Sequence, residues 1–326
     1  MDVLIVEPLD PEVLDWLSAR HAVRYAPELA PDPRAFRKAM WQARAVLIPP
    51  SVPLDNEALL QAPLLRAIGR LSAGAENIDL EACSRAGIEV VRPMTASATA
   101  EAEFVIGSLL QMLRRVPIVN AEGLLVGREL GDATIGIIGM APAAKPLAQL
   151  LGAFGAEVLG YDPALHASDP LWARWRVRPT GLPDLFERCD GVAVMLTYFS
   201  RYRGLLGARF LSVAKPNQVL VSLAHSSLFD EAALAEALTQ GRLAAAWFDS
   251  MEPGVMDPGR PLRHIDTLQI TPHVASTTLQ SRRRSAWDVA RRIDEILGGK
   301  AAPAAAGVKP ASADDLADLA DGPAPA

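Results

Sequence analysis

Short apolar runs alternate along the chain with helix-patterned stretches. Runs at residues 3–6, 45–48, 67–68 and 89–91 read as strands, separated by helix-like stretches such as 11–20 and 33–43. Short apolar strands between helices mark a parallel sheet covered on both faces. This pattern fills residues 1–98. A long helix follows, opened by Glu101 and Glu103, apolar over 104–113 and closed by Arg114 and Arg115. Acid at the start and base at the end suit the helix dipole, and the apolar middle predicts burial at an interface. A second alternating series predicts strands at 134–138, 157–161, 191–195, 219–223, 244–248 and 268–270, then an amphipathic helix over 279–297. Together these predict an α/β chain with doubly wound parallel sheets. Beyond Gly298 and Gly299 the composition shifts to Ala, Pro, Gly and Asp, so residues 300–326 read as a flexible tail.

Composition narrows the function classes. At roughly 100–200 residues per domain, 326 residues suggest two domains. A chain that is 50% hydrophobic and 21% charged is not globally disordered. A net charge of −6 without strong basic clustering gives nucleic-acid binding no support. The two cysteines, Cys83 and Cys189, are far apart, which excludes a disulfide scaffold and a cysteine zinc site and fits a reducing compartment. The opening MDVLIVEP lacks the basic segment of a signal peptide. No apolar stretch approaches the ~18 residues of a membrane span. A cytoplasmic protein without membrane or metal is expected. Five histidines, His21, His166, His225, His264 and His273, are the whole list of imidazoles for proton transfer near neutral pH.

The strongest local motif is TIGIIGMAPAAKPLAQLLGAFGAEVLGYDP, residues 134–163. It reads as strand, tight turn, helix, strand and acid. Such a turn brings backbone to a pyrophosphate at a helix N-terminus, and the acid takes a ribose hydroxyl. Asp162 lies 23 residues after Gly139, close to the usual ~20. Of the three fingerprint positions, Gly139, Ala141 and Ala144, only the first is glycine. Ala141 adds a methyl where backbone approaches phosphate, and Pro142 suits a helix start. Asp162 favours NAD over NADP, with Lys145 as a nearby counter-signal. A structural βαβ unit that has lost its ligand is the alternative.

The order of motifs is similar to that of the D-isomer-specific 2-hydroxyacid dehydrogenases. The resemblance covers residues 1–298 and is carried by GRLSAGAENIDLEACSRAGIEVV (69–91), the fingerprint region, LLGARFLSVAKPNQVLVSLAHSSLFDEAALAEALTQGRLAAAWFDSMEP (205–253) and ITPHVASTT (270–278). It implies two Rossmann/flavodoxin-like doubly wound domains with a cleft between them. Residues 1–98 plus 280–299 would form the substrate domain and 99–279 the NAD-binding domain. It also implies a homodimer, NAD as cofactor, and hydride transfer between a nicotinamide and a 2-hydroxy or 2-keto acid.

By the same resemblance, His273 exchanges the proton, a glutamate orients it, and an arginine clamps the substrate carboxylate. Gly139, Ala141, Ala144, Asp162, Thr197, Ala224 and Asp249 would surround the cofactor. Ala73, Gly74 and Ser97 would lie on the substrate side. Here the chain departs from the pattern. His225 stands where the arginine belongs, followed by Ser226 and Ser227 in place of glycines. The glutamate position is Gly254, with Glu252 two residues away; a shifted loop would let Glu252 substitute. Ser97 replaces an asparagine. Thr197 replaces a proline and is followed by Tyr198 and Phe199. His225 is then a replacement carboxylate binder, a different acid/base, or a drifted residue. Two readings follow: an atypical or weak NAD-dependent dehydrogenase, or a catalytically inactive regulatory protein that binds a dinucleotide or metabolite. The triple Arg282, Arg283 and Arg284 reads as a solvated helix face.

Overall fold

The computed structural model describes residues 1–72, 74–115, 118–252 and 254–298. Ala73 and the predicted tail lie outside the described residues. The chain divides into two compact units. One holds Met1–Ser97 and the chain from Thr277 through the last helix, and the other holds Ala98–Ser276.

In the first unit, strands β1 (Val3–Ile5), β2 (Val23–Tyr25), β3 (Ala45–Leu47), β4 (Ala67–Gly69) and β5 (Glu89–Val91) form a parallel sheet in the order β2-β1-β3-β4-β5. Every residue of β1, β3 and β4 is buried, as their unbroken apolar runs require. Edge strand β2 carries Arg24 and is half exposed, so its pattern gives no strand signal. Asp-Pro pairs open two helices here. Asp10 accepts from the Glu12 N–H ahead of Pro11–Ser18, and Asp32 accepts from Arg34 and Ala35 ahead of Pro33–Met40. The acid satisfies amides left without partners, and the proline fits the first helical position, where its missing N–H costs nothing. Helix Leu279–Leu297 returns to this unit. It buries Val289, Ala290, Ile293 and Leu297 against the sheet core. Each large apolar side chain so buried contributes about 1.5–3 kcal/mol. His21 Nε2 lies 2.8 Å from Asp294 Oδ1, and Trp16 meets Trp287 edge-on.

The second unit opens with helix Ala98–Arg115, which buries Val105, Leu109, Met112 and Leu113. A short antiparallel pair follows, β6 (Ile118–Val119) and β7 (Leu125–Val126), which the apolar pattern does not indicate. Then come β8 (Thr134–Ile138), β9 (Glu157–Tyr161), β10 (Arg178–Pro179), β11 (Gly191–Val194), β12 (Gln218–Ser222), β13 (Leu243–Phe248) and β14 (Leu268–Ile270). These strands all pair in parallel, in the order β10-β9-β8-β11-β12-β13-β14. The strand order reverses between β8 and β11, which is where doubly wound sheets bind ligands.

Candidate active site

Most of the predicted cofactor and catalytic residues lie at the carboxyl ends of the second unit's strands. Gly139 follows β8, Asp162 follows β9, and Thr197 follows β11. Ala224 and His225 follow β12, Asp249 follows β13, and His273 follows β14.

Gly139 sits at the reversal point. Its φ is +94°, and an added Cβ would lie 2.4 Å from the Leu196 Cα across the switch. Only glycine fits that backbone and that contact. Asp162 turns back on the same turn: its Oδ2 accepts from the Met140 N–H at 2.7 Å and its Oδ1 from Ala164 at 2.8 Å. Helix Ala144–Phe154 then begins after Ala143 and has no side-chain cap. Pro142 therefore precedes the helix rather than opening it. First-turn amides without a side-chain acceptor can meet an anion, although Pro142 and Pro146 contribute no N–H. Ala144 is buried and Ala141 half-buried. The glycine cradle, the acid at the turn and the open helix end fit a dinucleotide.

After β12, His225 caps a short 3₁₀ turn, Ser226–Leu228, its Nδ1 accepting from the Ser227 N–H at 3.3 Å. Its Nε2 lies 3.1 Å from Glu252 Oε1. The Ser227 hydroxyl donates to Glu252 Oε2 at 2.5 Å, and the Glu252 N–H donates to Ser226 Oγ at 3.1 Å. Tyr198 stacks on the imidazole with ring centres 4.5 Å apart and planes 16° from parallel. Ser226, Ser227 and Glu252 line a cavity of about 270 Å³ with Met251, Arg203 and Arg260. Spacing alone offers Glu252 only as an aid to His273, and the structure bonds it to His225. The sequence marks the two serines after His225 as departures but not as partners of Glu252. Tyr198 carries no such signal, because a ring beside a ring is not visible in spacing.

Asp249 is buried, and its carboxylate serves the neighbouring loop. It accepts from the Thr271 hydroxyl and the Val274 N–H, each at 2.8 Å, and from Ala275 N–H at 2.9 Å. The His273 N–H donates to the Asp249 backbone oxygen at 2.6 Å. His273 is exposed and held at a φ of +58°. Thr197 is exposed and Ala224 is buried.

The residues expected on the substrate side belong to the first unit. Gly74 lies in the loop after β4, with the Glu76 carboxylate where a side chain at 74 would stand. Ser97 is half-buried immediately before helix Ala98–Arg115. The sequence does not reveal a buried polar cluster at the ends of β1 and β4. Arg70, 1% exposed, donates to Asn77 Oδ1 and to Ser72 Oγ. Asn77 in turn donates to the backbone oxygens of Pro49 and Val52. Glu7 is also buried, and its desolvation pushes the carboxyl up to about 7 against the pull of Arg70, the Leu71 N–H and Arg282. Nothing in a lone Glu after an apolar run distinguishes it from a solvated strand end.

Among the described residues, no group of three or more His, Cys, Asp or Glu is placed to hold a metal, and no helix is long and apolar enough to cross a membrane.

Residues 108–275 match the NAD binding domain of the D-isomer specific 2-hydroxyacid dehydrogenases. The chain belongs to this family. Its cofactor is accordingly NAD. The chain is 31% identical to D-3-phosphoglycerate dehydrogenase of Mycobacterium tuberculosis over 94% of its own length, and it spans 58% of that relative. It is 29% identical to (S)-sulfolactate dehydrogenase of Chromohalobacter salexigens, covering 92% of this chain and 99% of that one. Among solved structures it resembles the TT0316 protein of Thermus thermophilus, with a TM-score of 0.74 at 26% identity over 93% of this chain and 99% of the other. The parallel sheets, with orders corresponding to 2-1-3-4-5 and 3-2-1-4-5-6-7, are the flavodoxin-like and Rossmann arrangements.

Proposed function

We propose that the chain is an NAD-dependent oxidoreductase that moves a hydride between the nicotinamide and C2 of a 2-hydroxy or 2-keto acid. The observation that carries this is the turn at the strand reversal, where Gly139 packs on Leu196 and Asp162 closes the loop. The Gly139, Ala141 and Ala144 turn would hold the pyrophosphate, Asp162 the ribose, and Thr197, Ala224 and Asp249 the nicotinamide side. When bound, the nicotinamide supplies or takes up the hydride. The chain supplies the rest. Ala73, Gly74 and Ser97 would receive the acid, and His273 and His225 are the imidazoles expected to serve the chemistry. The names of the relatives, D-3-phosphoglycerate dehydrogenase and (S)-sulfolactate dehydrogenase, support an acid substrate of this class.

The assembly we propose is a homodimer. Val119, Leu124 and Leu125 on the β6–β7 pair are exposed apolar side chains, of the kind that a second copy would cover. A reducing cytoplasm suits the two buried free thiols, Cys83 and Cys189.

The test is NADH binding, followed by fluorescence, then NADH oxidation with a panel of 2-keto acids that includes glyoxylate and pyruvate. Saturable binding with turnover on at least one acid supports the proposal, and its absence across the panel defeats it. Light scattering reads the dimer.

A further inference from the structure

Glu7 and Arg70, 7% and 1% exposed, follow β1 and β4 of one parallel sheet and leave it at the same edge. Arg70 spends its two terminal nitrogens on one loop. Nη1 donates to Asn77 and Nη2 donates to Ser72 at 2.8 Å, so the two bonds bracket Gly74. Asn77 is fixed in turn to the backbone oxygens of Pro49 and Val52. The guanidinium therefore sets both ends of the loop that carries Gly74. Its Nε and the Glu7 Oε2 are buried and have no hydrogen-bond partner among the described residues. A buried pair that only holds a fold closes into short paired bonds, because nothing else repays the desolvation of both charges. This pair stays open. The Glu7 carboxyl is consequently not locked in its charged form: burial outweighs the pull of Arg70, the Leu71 N–H and Arg282 and lifts it to about 7. Beyond Arg70 stand Arg92, after β5, and Glu76, in the loop. The arginines keep their charge at any pH near neutral. Ionisation of Glu7 therefore takes one positive charge off the net of this cluster.

We propose that Glu7 tunes the loop of Ser72, Gly74 and Asn77 for the carboxylate of the acid substrate. Neutral, Glu7 leaves the Arg70 charge uncompensated, and the loop holds an anion tightly. Ionised, it cancels that charge, and the loop holds the anion loosely. This rests on the oxidoreductase reading above, which places the acid at this loop. Glu7 makes no contact with the substrate and exchanges no proton with it. It acts through Arg70 and is a positioning residue. The sign is opposite to that of a merely structural acid, whose removal would weaken the loop at every pH.

The experiment compares the wild type with Glu7→Gln, Glu7→Asp and Arg282→Gln. It measures kcat and KM for glyoxylate, or for whichever panel acid turns over, between about pH 5.5 and about pH 8.5, a range over which the acid keeps its charge. NADH affinity is read alongside by fluorescence. Over that range the wild-type KM is expected to rise about three- to tenfold more than the KM of Glu7→Gln. At the higher pH Glu7→Gln therefore has the lower KM, and kcat moves less than KM. Glu7→Asp still ionises and keeps a rise. Arg282→Gln removes a cation that favours the charged carboxyl, so its rise in KM moves to higher pH. Retained NADH affinity shows that each variant is folded. Should Glu7→Gln fail that check, Arg282→Gln, a change at an exposed position, carries the comparison. The proposal is overturned alone if the wild type is active and Glu7→Gln shows the same rise in KM. It is also overturned if the KM of Glu7→Gln at the higher pH exceeds that of the wild type, or if the difference falls on kcat. A wild type that binds no NADH or turns over no panel acid overturns the oxidoreductase reading and the tuning with it.

Discussion

Asp249 shapes the backbone that carries His273. Its main-chain oxygen takes the His273 N–H at 2.6 Å, and its buried carboxylate takes the next two amides, Val274 and Ala275. A non-glycine residue at a φ of +58° costs roughly 1–2 kcal/mol, and these bonds hold it there. Asp249→Ala leaves the Val274 and Ala275 amides without their carboxylate acceptor. Of these, only the Ala275 amide makes a buried bond, and a buried donor left unmatched costs about 1–3 kcal/mol, so urea unfolding is expected to show a loss of about 1–3 kcal/mol. A loss below about 1 kcal/mol would mean that the loop is held by other contacts.

The nucleotide turn makes a paired prediction. Gly139→Ala drives a methyl into the Leu196 backbone, 2.4 Å from its Cα, at a φ of +94°. The turn must open, so NADH binding is expected to be lost. Ala141→Gly has the opposite sign. It removes a methyl from the second fingerprint position, where backbone nears phosphate. NADH should bind about three- to tenfold tighter, up to about 1.4 kcal/mol. Fluorescence titration of both variants reads the difference. Unchanged affinity in Ala141→Gly would show that the methyl does not face the ligand.

The nucleotide turn and the His225 cluster differ in how much of each is legible in the sequence. The turn is legible: β8, β9 and the acid after them follow from unbroken apolar runs and fixed spacing, and the structure puts both strands at the expected bounds. The departures at His225, Ser226, Ser227 and Gly254 are legible as substitutions. Their mutual arrangement is not. Glu252 lies 25 residues beyond Ser227, and hydrogen bonds between two loops leave no periodic trace. Edge strands β2 and β10 escape the pattern for a simpler reason: half-exposed strands of two or three residues carry charged side chains, such as Arg24 and Arg178, and break the apolar run.

Glu7 gives the first unit a pH dependence. Burial raises its carboxyl from an ordinary 4.5 to about 7. A folded-state value above the unfolded one means that the native state binds more protons in that interval. Stability contributed by this group therefore falls as pH rises from about 4.5 to about 7 and is level above it. The full effect is up to ~3 kcal/mol. Glu7→Gln keeps the shape and removes the ionisation. Urea unfolding at pH 5 and pH 8 should show the Gln variant gaining on the wild type at the higher pH. Equal differences at both values would place the Glu7 ionisation outside this range.

Position 254 tests whether the site wants its glutamate where the family resemblance puts it. Gly254 has a φ of +88°, and an added Cβ would stand 3.4 Å from Asp257 Oδ2. Gly254→Glu therefore strains the backbone by about 1–2 kcal/mol and sets a second carboxylate beside Asp257. With the Glu252 carboxylate already bonded to His225 and Ser227, the substitution should lower stability and leave kcat no higher. His225→Arg changes the picture only locally, because the guanidinium would meet Glu252 and be drawn to it rather than to a substrate carboxylate. The double variant is accordingly expected to stay below the wild type in kcat/KM for 2-keto acids. A double variant faster than the wild type would show that the acid belongs at 254, and that Glu252 with its two serines is a stopgap.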